Sequence, residues 1–300
     1  MKFHGLSAIL LGLIGISLLS IMDALIKAAT VGHPVLQVTF LRFVFGSLFA
    51  VVTVAVLRPG WPSAATIRIN ALRSVLVAIT SSAFFFALTA LPFAEAVALT
   101  FSAPIFIAVF AALILGERPG GRIVLALVVG FAGMLLMVGS RLGASGYSPG
   151  AVLGVMAAML AAVTYALSMV LLRSRAQQDA IVIIVLLNSI GPMLLLALPA
   201  GIAWQPVGLS QALLLLLIGA TGFFGHLFLA NAFARETASR LAPLEYVALL
   251  WALGIGFWWF GEVPSLPMLA GAAMIVTGVL LTTRARPAIE PSPEQTVLRE

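Results

Sequence analysis

The chain has 300 residues, of which 62% are hydrophobic and only 9% charged, with a mean hydropathy of +1.17. A soluble domain carries about 25% charged residues, so a water-soluble fold is excluded, and with it a soluble enzyme domain. The net charge of +6 comes from basic residues scattered singly, which in so apolar a chain marks membrane topology rather than nucleic-acid binding, and the absence of cysteine excludes disulfides and thiol chemistry.

In chain order, ten apolar stretches predict an all-α integral membrane fold with ten transmembrane helices. Each is near the ~20 residues that a spanning helix needs. They fall at roughly 6–28, 34–57, 69–90, 94–115, 121–140, 149–172, 179–201, 209–233, 239–260 and 265–284. The start of the chain looks like a signal peptide, but its apolar run continues to about Ala29 without a small-residue cleavage pattern. It is expected to stay as the first span. Turn chemistry marks the breaks: Gly32-His33-Pro34, Arg58-Pro59-Gly60, Pro119-Gly120-Gly121 and Ser148-Pro149-Gly150. Residues 285–300 are polar and proline-bearing, and read as a disordered tail.

The basic residues assign the sides. Thirteen of the sixteen Lys and Arg fall on the side of the N-terminus, Arg73 among them. Two, Lys27 and Arg141, fall on the other side, and Arg42 falls inside the second span. Because Lys and Arg favour the cytoplasmic face, both termini are expected in the cytoplasm.

A Gly-Glu box closes the fourth span as Gly116-Glu117 and recurs 145 positions later as Gly261-Glu262, closing the ninth. Gly133, Leu135 and Leu136 repeat at the same offset as Gly278, Leu280 and Leu281, and Lys27 maps to Arg173 at an offset of 146. A duplicated unit with five spans, an odd number, places its copies upside down relative to each other. Such inverted repeats build the two gates of many secondary transporters. The expected division is 1–146 for the first repeat, 147–284 for the second and 285–300 for the tail.

Two five-span halves of this kind resemble the EamA family of the drug/metabolite transporter (DMT) superfamily. The residues that carry the resemblance are Leu115-Gly116-Glu117-Arg118-Pro119 with Gly133-Met134-Leu135-Leu136, Gly261-Glu262 with Gly278-Val279-Leu280-Leu281, and Ala87-Leu88-Thr89 through Ala98-Leu99 and Pro104. The likeness covers about residues 6–284. Trp259-Phe260 before the second box and Val263 after it depart from the pattern. The resemblance implies an exporter in the inner (cytoplasmic) membrane that works by alternating access. It also implies that spans 1, 3, 4, 6, 8 and 9 surround a central cavity, with spans 5 and 10 peripheral. Within the family the chain is similar to YddG-type exporters, which implies amino acids, aromatic or neutral, as substrates.

A charge inside a span is costly and is a functional candidate by default. Asp23 and Arg42 fall in the outer half and are placed to pair. His226 and Glu245 fall in the inner half and are placed to pair likewise. Each pair serves gating or coupling, or else is a static bridge; the sequence leaves both open. Neutral polar and aromatic residues gather mid-span, and Ser82, Phe85, Phe101, Tyr165, Tyr246 and Trp251, with His226, are the candidate substrate-binding set. An apolar pocket with a few polar groups suits an amphipathic solute. Pro104 and Pro192 each remove a backbone hydrogen bond and are candidate hinges. Glu117 and Glu262 sit in turns and read as structural anchors.

No Walker-type loop and no His/Cys metal cluster stand in the sequence. No cofactor, metal or nucleic acid is expected; the partners are a small solute and the lipid bilayer, and a monomer is the expected state. Nearest among rival functions is a drug or nucleotide-sugar transporter, which for phosphates would want several basic cavity residues where only Arg42 qualifies. An intramembrane enzyme, for example with Ser81 or Ser82 paired with His226, or a receptor is the rival of another class; no motif supports it.

Overall fold

The computed structural model describes residues 6–117, 119–142, 149–176, 178–241, 244 and 247–263, and 266–267, 269–271, 273–274 and 277 of the last apolar stretch. Its helices are α1 (Ala8–Ala29), α2 (Val35–Leu57), α3 (Ala64–Ala90), α4 (Phe93–Thr100), α5 (Ala103–Leu115), α6 (Gly121–Leu142), α7 (Pro149–Ala176), α8 (Ile181–Gly201), α9 (Leu209–Arg235), α10 (Ala238–Leu241) and α11 (Val247–Phe260). Seven passages are long and apolar enough to cross a membrane, counting α4 and α5 as one; α11 and residues Gly121–Gly133 of α6 are shorter apolar helices. The expected tail, residues 143–148 and most of the expected tenth span lie outside the described residues.

Local chemistry explains two departures from the expected boundaries. Helix α3 starts five residues early, because Ser63 caps it: its Oγ accepts from the Thr66 amide at 3.1 Å. The expected fourth span breaks at Phe101 and Ser102, leaving α4 and α5. Pro104, in the first turn of α5, lacks the N–H that a continuous helix would bond to Thr100. Pro192 sits inside α8 without ending it.

Side-chain bonds at the helix ends fix their directions. Arg235, ending α9, donates to the Leu6 carbonyl just before α1 at 2.9 Å, and Arg173, near the end of α7, donates to the Phe233 carbonyl at 2.6 Å. At this end Asp179 also accepts from Thr66 at 2.7 Å and from Arg175 at 2.8 Å, tying the start of α3 to the turn between α7 and α8. At the other end Lys27 of α1 reaches the Leu91 carbonyl after α3 at 3.3 Å, and Gln37 of α2 donates to the Gln205 carbonyl before α9 at 2.7 Å. Helices α1 and α7 therefore run in opposite directions.

Helices of the two sequence halves alternate across the bundle. α1 lies along α9, α3 along α7, and α2 against α8 and α9. Glycines let the backbones meet. A Cβ added at Gly15 would come within 2.9 Å of the Gly225 carbonyl oxygen, and one at Gly219 within 2.9 Å of the Gly46 nitrogen. Such approach lets dispersion and packing hold helices together where lipid gives no hydrophobic drive.

Gly219→Leu should force α2 and α9 apart and lower the thermal unfolding midpoint in detergent, at a cost of roughly 1–3 kcal/mol or more. Gly254→Leu, where an added Cβ meets nothing within 4 Å, should be tolerated. Partial burial alone would raise the pKa of Asp179, but the bonds from Arg175 and Thr66 and the charge of Arg175 hold it below its ordinary value of 3.8. The stability that Asp179 contributes is therefore present above pH 3.8 and fades as pH falls through the lowered value. An Asp179→Asn variant should be less stable than the parent at pH 7, and the gap should close on acidification toward pH 3.

Candidate functional site: a central cavity around Arg42

A cavity of about 140 Å³ opens at the centre of the bundle, lined from α1, α2, α3, α4, α5, α7, α9 and α11. Its walls are mostly apolar. On α3 the lining residues are Val77, Thr80, Ser81, Phe84 and Phe85. Their three-and-four spacing is one helical face.

Arg42, only 5% exposed, projects from α2 into this space. Its Nε donates to Met22 Sδ at 3.0 Å and its Nη1 to Ser81 Oγ at 3.0 Å, while Nη2 meets His226 Nε2 at 3.0 Å. Arginine has no acceptor, so His226 Nε2 accepts, and the imidazole is neutral with its proton on Nδ1. The guanidinium also lies over the rings of Phe43 (4.5 Å) and Phe85 (5.5 Å). These bonds use three of the five N–H groups of an arginine; two stay uncommitted among the described residues. Gly222 makes the room, since a Cβ there would sit 3.0 Å from Met22 Sδ and 3.4 Å from Arg42 Nε.

Asp23 lines the same cavity and feels the charge of Arg42. It closes no ion pair or hydrogen bond with it, so the expected Asp23–Arg42 bridge is absent although both residues line one cavity. Glu245, the expected partner of His226, lies outside the described residues; the Nε2 of His226 meets Arg42. Helix α9 continues to Arg235, so His226 sits nine residues, about 13 Å, from that end. That is deep enough to reach Arg42.

Of the expected substrate-binding set, Phe85, Phe101, Tyr165 and His226 line the cavity. Ser82 does not, since it lies one position off the lining face of α3, and its buried hydroxyl has no partner among the described residues. Trp251 is 40% exposed and donates to Ser17 Oγ at 2.9 Å instead. Tyr246 lies outside the described residues. Pro104 lines the cavity beside the α4–α5 break; Pro192 is buried in α8 away from it. The second span adds Arg42 to the six that were expected to surround the cavity.

Sequence reasoning misplaced Arg73. It lies 2% exposed inside α3, donating to the Ser168 carbonyl at 3.1 Å and to Asn70 Oδ1 at 2.8 Å. It is a buried interior cation rather than one of the charges at the N-terminal face of the membrane. The Ser63 cap was the available signal, because it moves the helix start and carries Arg73 inward.

The EamA-like transporter family matches residues 6–139 and again 152–284. The chain belongs to that family. It is 28% identical over 285 residues to the pseudopaline exporter CntI of Pseudomonas aeruginosa, covering 93% of this chain and 97% of that one. It is 25% identical over 264 residues to an S-adenosylmethionine uptake transporter of Rickettsia prowazekii (87% of each). It is 30% identical over 217 residues to a riboflavin transporter of Rhizobium johnstonii (71% of this chain, 68% of the other). A solved crystal structure, 25% identical, superposes with a TM-score of 0.73 over 92% of this chain and 96% of its own. The protein is accordingly a multi-pass membrane transporter of the EamA type and not an enzyme; in a bacterium its place is the inner membrane.

Arg42→Gln removes the charge that organises the cavity, and His226→Ala removes an acceptor. Hydrogen bonds to charged groups are worth about 1.5–3 kcal/mol, so transport should fall at least about tenfold in each. The purified variants should stay monodisperse; normal transport by both would place the site elsewhere.

Proposed function

We propose that the protein is a secondary exporter of small zwitterionic metabolites, amino acids with neutral or aromatic side chains foremost. They would leave the cytoplasm by alternating access through the Arg42 cavity. One observation carries this reading: a cation with N–H groups to spare and the carboxyl group of Asp23, without an ion-pair or hydrogen-bond partner among the described residues, share one small aromatic-walled space. A carboxylate suits the guanidinium, an ammonium suits Asp23, and a side chain suits the rings of Phe84, Phe85, Phe101 and Tyr165. The volume equals the share of about five water molecules in the liquid, which fits a small amino acid better than a fused-ring cofactor. The export sense follows the family resemblance and the pseudopaline relative.

The topology we infer has ten spans in two inverted five-span repeats, 1–146 and 147–284, with both termini cytoplasmic and the chain a monomer. The doubled family match, the opposed directions of α1 and α7 and the clustering of Arg58, Arg173, Arg175, Arg235 and Arg240 at one end of the bundle support it. His226 and Asp23 are the groups we assign to coupling or gating, and the Pro104 break to the hinge. A proton added to His226 would turn its contact with Arg42 from attraction to repulsion and release the guanidinium.

Counterflow in proteoliposomes tests the reading. Internal unlabelled neutral or aromatic amino acids should drive uptake of a labelled amino acid, and Arg42→Gln should abolish it. A nucleotide sugar or cationic drug that exchanges while amino acids do not would overturn it.

A further inference from the structure

The two Gly-Glu boxes do something that turns alone do not require. In each, the glycine takes a left-handed conformation, with φ of 68° at Gly116 and 67° at Gly261. The next amide reaches back six residues, Glu117 to the Ala111 carbonyl at 3.2 Å and Glu262 to the Gly256 carbonyl at 2.8 Å. The helix ends sharply and the carboxylate is thrown clear of it.

Each carboxylate then lands on the opposite half of the chain. Glu262 accepts from the amides of Phe93 at 2.7 Å and Ala94 at 3.3 Å, which open α4, and pairs with Lys27 at the end of α1 at 3.3 Å. Glu117 accepts from the amide of Ala238, which opens α10, at 3.3 Å, and faces Arg173 Nε near the end of α7 at 3.7 Å. The two knots are copies: glutamates 145 apart, capped helix starts 145 apart, basic partners 146 apart. They also sit at opposite ends of the bundle. Glu117 belongs with Arg173 and Phe233 at the Leu6 end of α1, and Glu262 with Lys27 at the other end of that 22-residue helix.

We propose that Glu262 and Glu117 are the two latches of the transport cycle, Glu262 positioning the cavity-lining α4 and Glu117 the short α10 that precedes the cavity-lining α11, each holding its own end of the cavity shut. Helix α4 carries the wall residues Val97 and Thr100 and is joined to α5 only through the break at Phe101 and Ser102. Its far end is fixed by the Glu262 knot. Release of that knot frees the wall on the Lys27 side while the Glu117 knot stays closed; release of Glu117 does the reverse. Alternation requires that one knot opens at a time. The inference rests on the alternating-access reading above.

The chain holds no cysteine, so a single Thr100→Cys probe in the cavity can be labelled from either side with a membrane-impermeant maleimide. Right-side-out and inverted vesicles of full-length protein give the two sides. Glu262→Gln keeps an acceptor for the amides and removes the charge. It should raise labelling from the Lys27 end, and Glu117→Gln should raise it from the opposite end, each by about tenfold, the population shift expected from losing one charge-assisted contact. Unfolding midpoints near that of the parent would show both variants folded. Labelling that shifts in the same direction in both variants, or in neither, would overturn the latches and leave the proposed function standing. A probe that resists the reagent from both sides in the parent and in both variants would remove the cavity as the pathway, and the latches with it.

Discussion

A permanent cation in the middle of an apolar bundle must be surrounded by acceptors or the bundle does not form. Arg42 is that cation. A charge at membrane depth costs several kcal/mol even on insertion scales. Three helices share the work of tolerating it: α1 through the Met22 sulfur, α3 through Ser81, and α9 through His226. Phe43 and Phe85 add ring faces. The arrangement ties together helices from both halves of the chain. It also leaves the cation only partly satisfied, which makes it a site rather than a rivet. Ser81 and His226 stand 145 positions apart, so Arg42 bridges two positions that duplication made equivalent and divergence made different.

The ends of the molecule obey a different rule. Backbone amides at a helix start need acceptors, and the starts of α4 and α10 find them on the opposite half. The Gly-Glu carboxylates serve α4 and α10. Centre and ends are therefore mechanically joined: α4 is capped at one extreme and broken at the other beside Phe101, a cavity wall. Close glycine contacts join α1 to α9 and α2 to α9 backbone to backbone, while α4 and α10 are short pieces tied at their starts.

Much of this was legible in the sequence, and the limits are physical. Hydropathy gives the spans because lipid demands it, and the intramembrane charges Asp23, Arg42 and His226 stand out for the same reason. Which face of a span looks inward is harder to read where a helix is apolar all round, and so the sequence points to Ser82 where Ser81 lines the cavity. Charge pairing is non-local. Nothing near Arg42 in sequence points to His226, 184 positions away. The Gly-Glu boxes read as surface turns because their partners lie in the other half. Arg73 hid behind a helix start that the Ser63 cap would have moved.

The proposed recognition rests on Arg42 meeting the carboxylate of the solute. The direct measurement is equilibrium binding of an amino acid and its carboxamide to the purified protein and to Arg42→Gln. The account predicts that the free acid binds the parent at least about tenfold more tightly than the amide, since a charged hydrogen bond is worth about 1.5–3 kcal/mol, and that this preference vanishes in the variant. An undiminished preference for the acid in Arg42→Gln would contradict it.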